Sequence, residues 1–385
     1  MRQTLRFVVL MASLVTAALF LISAVRTLQG AHPADASESA VLEQAVRIGR
    51  HESPYAPAEA TRANTPAVPA AVPGSMPGLS YLVALVAGGD PPKLWIQRAL
   101  SLTATVFVAL LVMVIVVIEA ESWTLAVCAA SFALFAQGLF GSLPGVSRPD
   151  SLALLLSLLG FAALRYMYGM LGAILAAVAL AAAFFVDQRT AWFIVAVGVW
   201  LAVSDGERLL AFLITTAVLV GGGYVALSGL LGPWFNFESF NAPIAALQFR
   251  PGRALRFTAD FLLGSFAVCT LVAVLSFAMA TQPWHGRRGL WLCFGAAAIL
   301  AGFVSTQSAR FEPGALIAST VALSLIGPLS LQRVARHLSA TLDPDARSGE
   351  RVILVALMLQ FVVFFSIARE AGWLQEVFRA GLLGA

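Results

Sequence analysis

The sequence predicts an all-α fold of the polytopic integral membrane class, with about eleven transmembrane helices in a single domain over residues 1–385. Hydrophobic residues make up 59% of the chain and charged residues only 11%, whereas soluble domains carry about 25% charged residues. Apolar runs of membrane length recur along the chain. Runs such as 106–118 and 171–186 are apolar on every face, unlike the alternating strands of a membrane β-barrel. We therefore expect helices to do the spanning.

The first predicted element is an uncleaved membrane helix. Arg2 and Arg6 precede the apolar run 7–25, which is long for the core of a signal peptide and lacks a clear cleavage site with small residues. The basic start places the N-terminus in the cytoplasm and the following loop on the extracytoplasmic side. We therefore expect a multi-pass protein of the inner or plasma membrane.

The second predicted element is a long polar loop over residues 27–98, which contains a Pro/Ala-rich stretch at 54–77. A connector of this length is longer than compact folds normally need. Within the loop, residues 39–50 have the pattern of a short amphipathic helix, and residues 79–87 are apolar but too few to span a membrane. Both segments fit helices that lie on the membrane surface.

Ten further apolar runs, several of them short, complete the predicted bundle. They are residues 100–118, 123–140, 151–164, 169–186, 191–203, 209–231, 257–280, 290–304, 314–331 and 352–368. With this topology, residues 232–256 form an outer loop and residues 332–351 a cytoplasmic loop. Arginine is only weakly enriched on the predicted cytoplasmic side. The arginines left outside favour an anionic partner there.

The densest group of outer charges is Arg250, Arg253 and Arg256, directly before a predicted span. Arg253 and Arg256 are three residues apart, so they share one face of a helix. Guanidinium groups bind phosphate oxygens in a bidentate way. The group therefore fits a lipid-linked phosphate, and it fits the headgroups of ordinary anionic membrane lipids equally well.

Other kinds of chemistry have little support in the sequence. No run of lysines and arginines is interleaved with aromatic residues, so nucleic acid is not an expected partner. The chain has neither a P-loop nor a GxGxxG motif, and its four histidines lack metal-ligand spacing. Cys128, Cys269 and Cys293 fall within apolar runs, and we interpret them as packing residues. These patterns require no cofactor.

A set of short motifs in a fixed order resembles one protein family. The motifs run from Glu38 to Tyr55, Met76 to Tyr81, Gln97 to Leu102, Ser147 to Leu154, Asp187 to Ala191 and Arg310 to Pro313. Together they resemble the GT-C superfamily of polyprenyl-phosphate-sugar-dependent membrane glycosyltransferases, over roughly residues 1–330. This family includes the protein mannosyltransferases and the aminoarabinose transferase of lipid A.

The resemblance implies a set of site residues. Glu38 stands where the family has its proposed catalytic acid, and Asp35 is the second catalytic candidate. These two acids would be compatible with Mg²⁺ or Mn²⁺, although the reaction does not demand a metal. The residues that we expect to bind substrate are Tyr55, Arg148, Asp150, Arg189, Arg250, Arg253, Arg256, Arg310 and Glu312. The chain departs from the family where Glu38-Ser39 replaces an Asp-Glu or Asp-Asp pair, and where Arg189 replaces a lysine.

Two functions from different classes stay open at this point. The first is an inverting sugar transfer on the extracytoplasmic side, from a polyprenyl-phosphate donor to a glycan, lipid or protein acceptor, with Glu38 as the base. The second is a non-catalytic membrane subunit or lipid-binding scaffold of the same architecture. A transporter would show inverted repeats or paired charges within the membrane, and the sequence shows neither clearly.

Overall fold

The computed structural model is all-helical over most of its described length. It describes residues 2–30, 32–33, 36–55, 76–140, 149–279, 286–309, 313–342 and 347–370. The longer helices, in chain order, are α1 Arg2–Gln29, α2 Ala36–Gly49, α3 Gly78–Ala87, α4 Leu94–Ala120, α5 Trp123–Phe140, α6 Pro149–Tyr166, α7 Gly169–Val186, α8 Ala191–Ser204, α9 Gly206–Leu231, α10 Pro251–Ser265, α11 Ala267–Ala278, α12 Gly286–Thr306, α13 Ile317–Leu342 and α14 Arg347–Glu370.

The predicted membrane class is confirmed, but the expected number of about eleven spans is not. Among the described residues, 8 helices are long and apolar enough to cross a membrane, or up to 9 if α10 and α11 form one span. These two helices meet at an angle of 94°. The 14 residues of α8 rise only about 21 Å at 1.5 Å per residue, short of a hydrocarbon core of about 30 Å. Apolar composition therefore predicted the helices better than it predicted which of them cross.

Helix α13 lies at the centre of the bundle, since 89% of its membrane-length apolar stretch is buried. In α9 the corresponding share is 6%. Phe132 of α5 packs against Phe361 and Phe364 of α14, with ring centroids 4.8 and 5.3 Å apart. Glycines allow neighbouring helices to approach α13 closely, as expected in membranes. A Cβ on Gly295 would lie 1.9 Å from Ile326 Cδ1. Cys128, Cys269 and Cys293 are buried and free, which confirms their interpretation as packing residues.

Both helices expected in the first loop are present and pack against one end of the bundle. Val41 and Ala45 of α2 and Leu79 of α3 form an apolar cluster with Ile96 at the start of α4 and Val186 at the end of α7. We call this end of the bundle, which also carries the segment 233–245, the loop end. Its location on the extracytoplasmic side stays a prediction.

The opposite end of the bundle is held by a different set of polar contacts. Glu119 at the end of α4 forms an ion pair of 2.7 Å with Arg165 at the end of α6. The same carboxylate accepts hydrogen bonds from the Tyr166 hydroxyl at 3.1 Å and from the Trp291 indole nitrogen at 3.3 Å. These contacts fix the ends of α4, α6 and α12 relative to one another.

Candidate functional site

The most deeply buried charged pair at the loop end joins α2 to α4. Glu38 lies in the first turn of α2, and Arg98 is the fifth residue of α4. Arg98 Nε donates to Glu38 Oε1 at 2.7 Å, and Arg98 Nη2 donates to Glu38 Oε2 at 2.8 Å. The two side chains are 1% and 0% exposed. Such a bidentate fork is among the stronger charge-assisted contacts in proteins.

Arg98 also binds the chain that leads out of α1. It donates to the backbone oxygens of Thr27 and Gly30 at 2.6 Å each and to that of His32 at 2.8 Å. The carbonyls at the end of a helix have no partner within the helix, so a guanidinium is well suited to cap them. The pair therefore fixes the first loop onto the bundle at its very beginning.

This geometry bears on the catalytic residues that we expected. Both oxygens of the Glu38 carboxylate accept hydrogen bonds from Arg98, and the side chain is fully buried. A substrate hydroxyl could reach this carboxylate only after the pair opened. The catalytic role of Glu38 stays a prediction that the structure does not test. Asp35, the second candidate, lies outside the described residues.

A second polar cluster brings together two of the expected substrate-binding residues, Asp150 and Arg189. Arg189 Nε contacts the two carboxylate oxygens of Asp187 at 3.0 and 2.9 Å, and its Nη2 donates to Asp150 Oδ1. Asp187 also accepts from the Arg189 backbone nitrogen at 2.9 Å. Asp150 lies in the first turn of α6, where the helix dipole stabilises a negative charge.

The cluster lies in a small, partly open cleft. The cleft is lined by Asp150, Ala153, Leu154, Asp187, Arg189, Thr190, Phe193, Ala301, Ala315 and Ala318. Two carboxylates face one guanidinium, so these three groups carry a net charge of about −1 at neutral pH. Carboxylates accept hydrogen bonds from hydroxyl groups. The two carboxylates are therefore candidate acceptors for the hydroxyl groups of a ligand.

The three outer arginines do not act as one group. Arg253 donates from Nη1 to the backbone oxygens of Thr306, at 3.2 Å, and Ser308, which lie at the end of α12. Arg250 donates from its backbone nitrogen to Gln307 Oε1 at 2.9 Å. The side chains of Arg250 and Arg256 are exposed. Within the described residues, none of the three arginines forms an ion pair with a carboxylate.

Tyr55 is buried rather than open to a substrate. Its ring is 0% exposed and makes an edge contact with Phe235, with ring centroids 5.5 Å apart. Met76 and Phe184 complete the apolar cluster around it. Burial raises the pKa of the Tyr55 phenol well above its usual value, the charge of Glu238 adds to this, and the Ser239 hydroxyl acts in the opposite direction. Tyr55 therefore connects the first loop to the segment 233–245.

The remaining expected site residues cannot be placed. Arg148, Arg310 and Glu312 lie outside the described residues, as does Asp35. In the part of the chain that the structure describes, no group of three or more His, Cys, Asp or Glu side chains is arranged to hold a metal ion. Participation of Mg²⁺ or Mn²⁺ stays a prediction.

Arg98, Asp187 and Glu238 were not among the catalytic and substrate-binding residues that we expected, although Asp187 and Glu238 belong to the acidic residues that the sequence places on the outer side. Arg98 and Asp187 lie within motifs of the resembled family, so their motif positions were the available signal. Glu238 had a weaker signal, because it is one carboxylate within the aromatic stretch 235–240. The burial of such a carboxylate depends on contacts that are distant in sequence.

Comparison with known proteins places the fold. No protein-family model and no curated protein matches this chain. The crystal structure of ArnT from Cupriavidus metallidurans bound to undecaprenyl phosphate is similar, with a TM-score of 0.58 and 14% sequence identity over 92% of this chain and 76% of that chain. ArnT in the apo state matches with a TM-score of 0.56 and 16% identity, covering 92% of this chain and 75% of that chain. The chain has an ArnT-like fold.

Proposed function

We propose that this protein is an inverting membrane glycosyltransferase that moves a sugar from a polyprenyl-phosphate donor to an acceptor hydroxyl at the loop end. The observation that carries the proposal is the ArnT-like fold, because ArnT has been crystallised with undecaprenyl phosphate, which is a polyprenyl phosphate. The order of the sequence motifs from Glu38 to Asp187 supports the same reading. We place the reaction on the extracytoplasmic side because of the basic N-terminal flank.

The exposed guanidinium groups of Arg250 and Arg256 are our candidates for holding the donor phosphate. Arg250 directly precedes α10 and Arg256 lies within it, and both side chains are exposed. Helix α10 bends by 94° into α11. In the transfer, the bond between the anomeric carbon and the phosphate oxygen breaks, and the phosphate leaves with the electron pair. Fixed positive charges at the leaving oxygen stabilise that change, which is commonly the largest catalytic contribution.

The cleft at Asp150, Asp187 and Arg189 is our candidate for holding the sugar. Its carboxylates accept hydrogen bonds from sugar hydroxyls, and Arg189 keeps the two carboxylates at fixed positions. Fixing the sugar in this way orients the anomeric carbon for attack. Glu38 is the base that the family resemblance implies, provided that its pair with Arg98 opens when the substrate binds.

A non-catalytic lipid-binding scaffold is the second candidate function. It is favoured by one observation, the complete engagement of the Glu38 carboxylate by Arg98. A scaffold of this kind would bind the lipid phosphate and would not turn it over. Transfer and lipid binding must therefore be measured separately.

The test uses the full chain in lipid nanodiscs. Undecaprenyl phosphate binding is measured by mass spectrometry of the retained lipid, and transfer is measured as release of undecaprenyl phosphate from a panel of its hexose and pentose conjugates with cell-envelope extract as acceptor. Replacing Arg250 and Arg256 together by Gln should weaken lipid binding at least tenfold, since each contact to a charged group contributes about 1.5–3 kcal/mol. The matched control is Arg336→Gln with Arg351→Gln, two exposed arginines elsewhere on the chain.

The outcomes separate the two functions. Lipid binding with release from at least one conjugate supports the transferase. Binding without release from any conjugate supports the scaffold. Failure to bind undecaprenyl phosphate, or equal loss in the control variant, would overturn the assignment of Arg250 and Arg256.

A further inference from the structure

The segment 233–245 at the loop end contains a wide helical turn that presents Glu238 beside the first loop. Residues Phe237–Asn241 form a π-helical turn, in which hydrogen bonds join residues five apart. This spacing brings Phe235 and Phe240 together, with ring centroids 6.4 Å apart. Turns of this kind are rare and are frequently found at functional sites. Glu238 lies between the two phenylalanines in sequence and is half-buried.

Aromatic contacts fix this turn against three parts of the bundle. Phe235 packs against Tyr55 at a centroid distance of 5.5 Å, which connects the turn to the first loop. Phe240 packs against Tyr224 of α9 at 5.4 Å and against Phe184 of α7 at 6.3 Å. Because aromatic pairs hold defined geometries, these contacts fix the turn that carries Glu238 relative to Tyr55 of the first loop and to α7 and α9.

The end of α7 connects Glu238 to the proposed sugar cleft. Phe184 contacts the turn that carries Glu238, and Asp187 follows three residues later, in the cluster with Arg189 and Asp150. Glu238 and the proposed sugar cleft therefore both adjoin the end of α7. A base must lie near the acceptor, and this shared helix end is where we place the acceptor.

Among the described residues, one cation and one anion act on the Glu238 carboxylate, and the attraction by the cation is the stronger of the two. Arg47 attracts it, but Arg47 is already paired with Glu43 at 2.8 Å, and Glu43 repels it. Tyr55, a neutral phenol, is the other titratable group beside it, and Tyr81 is near that phenol. Burial, opposed by Arg47 and reinforced by Glu43, raises the pKa of Glu238 to about 7. A general base is most effective when its pKa is close to the working pH.

We propose that Glu238 accepts the proton of the acceptor hydroxyl, while Glu38 and Arg98 hold the first loop in place. This inference rests on the proposed glycosyltransferase function. In the step, the acceptor O–H bond breaks and its proton passes to a Glu238 carboxylate oxygen. The acceptor oxygen forms the bond to the anomeric carbon, and the bond from that carbon to the phosphate oxygen breaks. In the structure, both oxygens of Glu38 accept hydrogen bonds from Arg98, so this proposal does not require that pair to open.

The experiment compares Glu238→Gln, Glu238→Asp and Glu38→Gln with the exposed acid variant Asp90→Asn as control. Each full-length protein is assayed in nanodiscs between pH 5.5 and 8.5, for undecaprenyl phosphate retention and for transfer. We expect the wild-type rate to rise about tenfold per pH unit up to about pH 7 and then to level off. Glu238→Gln should retain the lipid, lower turnover by about 10²- to 10⁴-fold and lose this pH dependence.

The other variants decide between the two glutamates. In Glu238→Asp, the transfer rate should still rise with pH but should be lower than in the wild type. In Glu38→Gln, the rate should also still rise with pH, whatever the stability of that variant. If Glu238→Gln transfers sugar at the wild-type rate with the wild-type rise with pH, the inference is overturned and the proposed function stays intact. The same holds if Glu38→Gln is the one variant that loses the rise of rate with pH. A wild-type protein that retains the lipid but transfers no sugar would overturn both.

Discussion

Arg98 and Glu38 meet through two parallel hydrogen bonds of 2.7 and 2.8 Å, although they are 60 residues apart in the chain. Arg98 adds three hydrogen bonds to backbone oxygens of the chain that leaves α1. One buried guanidinium therefore joins the end of α1, the start of α2 and the start of α4. The first loop begins from this junction, so Arg98 fixes the point at which the loop leaves the bundle.

The first prediction concerns the stability of this junction. Replacing either Arg98 or Glu38 by the neutral residue glutamine (Arg98→Gln, Glu38→Gln) should cost about 3–5 kcal/mol, because each change leaves a buried charge without its partner. The double variant should lose much less than the sum of the two. Thermal unfolding in detergent, analysed as a double-mutant cycle, measures the coupling.

The control is Glu43→Gln. The Glu43 side chain is 61% exposed, so its pair with Arg47 should contribute at most about 1 kcal/mol. Additive losses would contradict the coupling.

A second prediction concerns the close approach of α3 to α7. A Cβ on Gly78 would lie 2.5 Å from the backbone oxygen of Phe185. Because backbone atoms cannot move aside as a flexible side chain can, Gly78→Ala should destabilise the packing of α3 by about 1–3 kcal/mol. Gly49→Ala is the matched control, since nothing lies within 4 Å of the added carbon. Limited proteolysis of the first loop measures the effect, and equal cleavage of the two variants would contradict the prediction.

The helices of this protein could be predicted largely from the sequence, because a long apolar run is sufficient to specify a membrane helix. α4, α7 and α14 follow from their own residues in this way. The number of spans was predicted less well. The 14 residues of α8 and the 94° bend between α10 and α11 depend on chain geometry that composition does not report.

The candidate site was predicted only in part, because side-chain partners are set by tertiary contacts. The sequence predicted that Asp150 and Arg189 each bind substrate, and the structure brings the two side chains into contact. It did not predict that Arg253 donates to the carbonyls at the end of α12, since a local arginine pattern contains no information about a helix 50 residues away. Nor did it predict that Arg98 engages both oxygens of Glu38.

The third prediction concerns topology. In a variant whose three cysteines are replaced by Ala, a single cysteine at Asp90 should react with an impermeant maleimide in intact cells. A cysteine at Tyr168, which is 94% exposed in the turn between α6 and α7, should react only after the membrane is opened. The reason is the basic N-terminal flank at Arg2 and Arg6, which favours the cytoplasm. The reverse labelling pattern would place the loop end in the cytoplasm and remove the proposed site from the extracytoplasmic side.

The last prediction follows from the pKa of Glu238, which burial raises to about 7 from an ordinary 4.5. Between these two values the unfolded chain has lost the proton while the folded protein still holds it. Because stability falls with pH wherever the folded state binds more protons, Glu238 should lower the melting temperature progressively from about pH 4.5 to pH 7, and add no further loss above that range.

Glu238→Gln cannot ionise, so its melting temperature should exceed that of the wild type by a margin that grows over this window and then stays constant. Asp90→Asn, which removes an exposed acid, should follow the wild type. Melting curves in detergent at half-unit steps from pH 5 to pH 8 measure the margin, and parallel curves for wild type and Glu238→Gln would show that Glu238 is ionised throughout and is not the poised base.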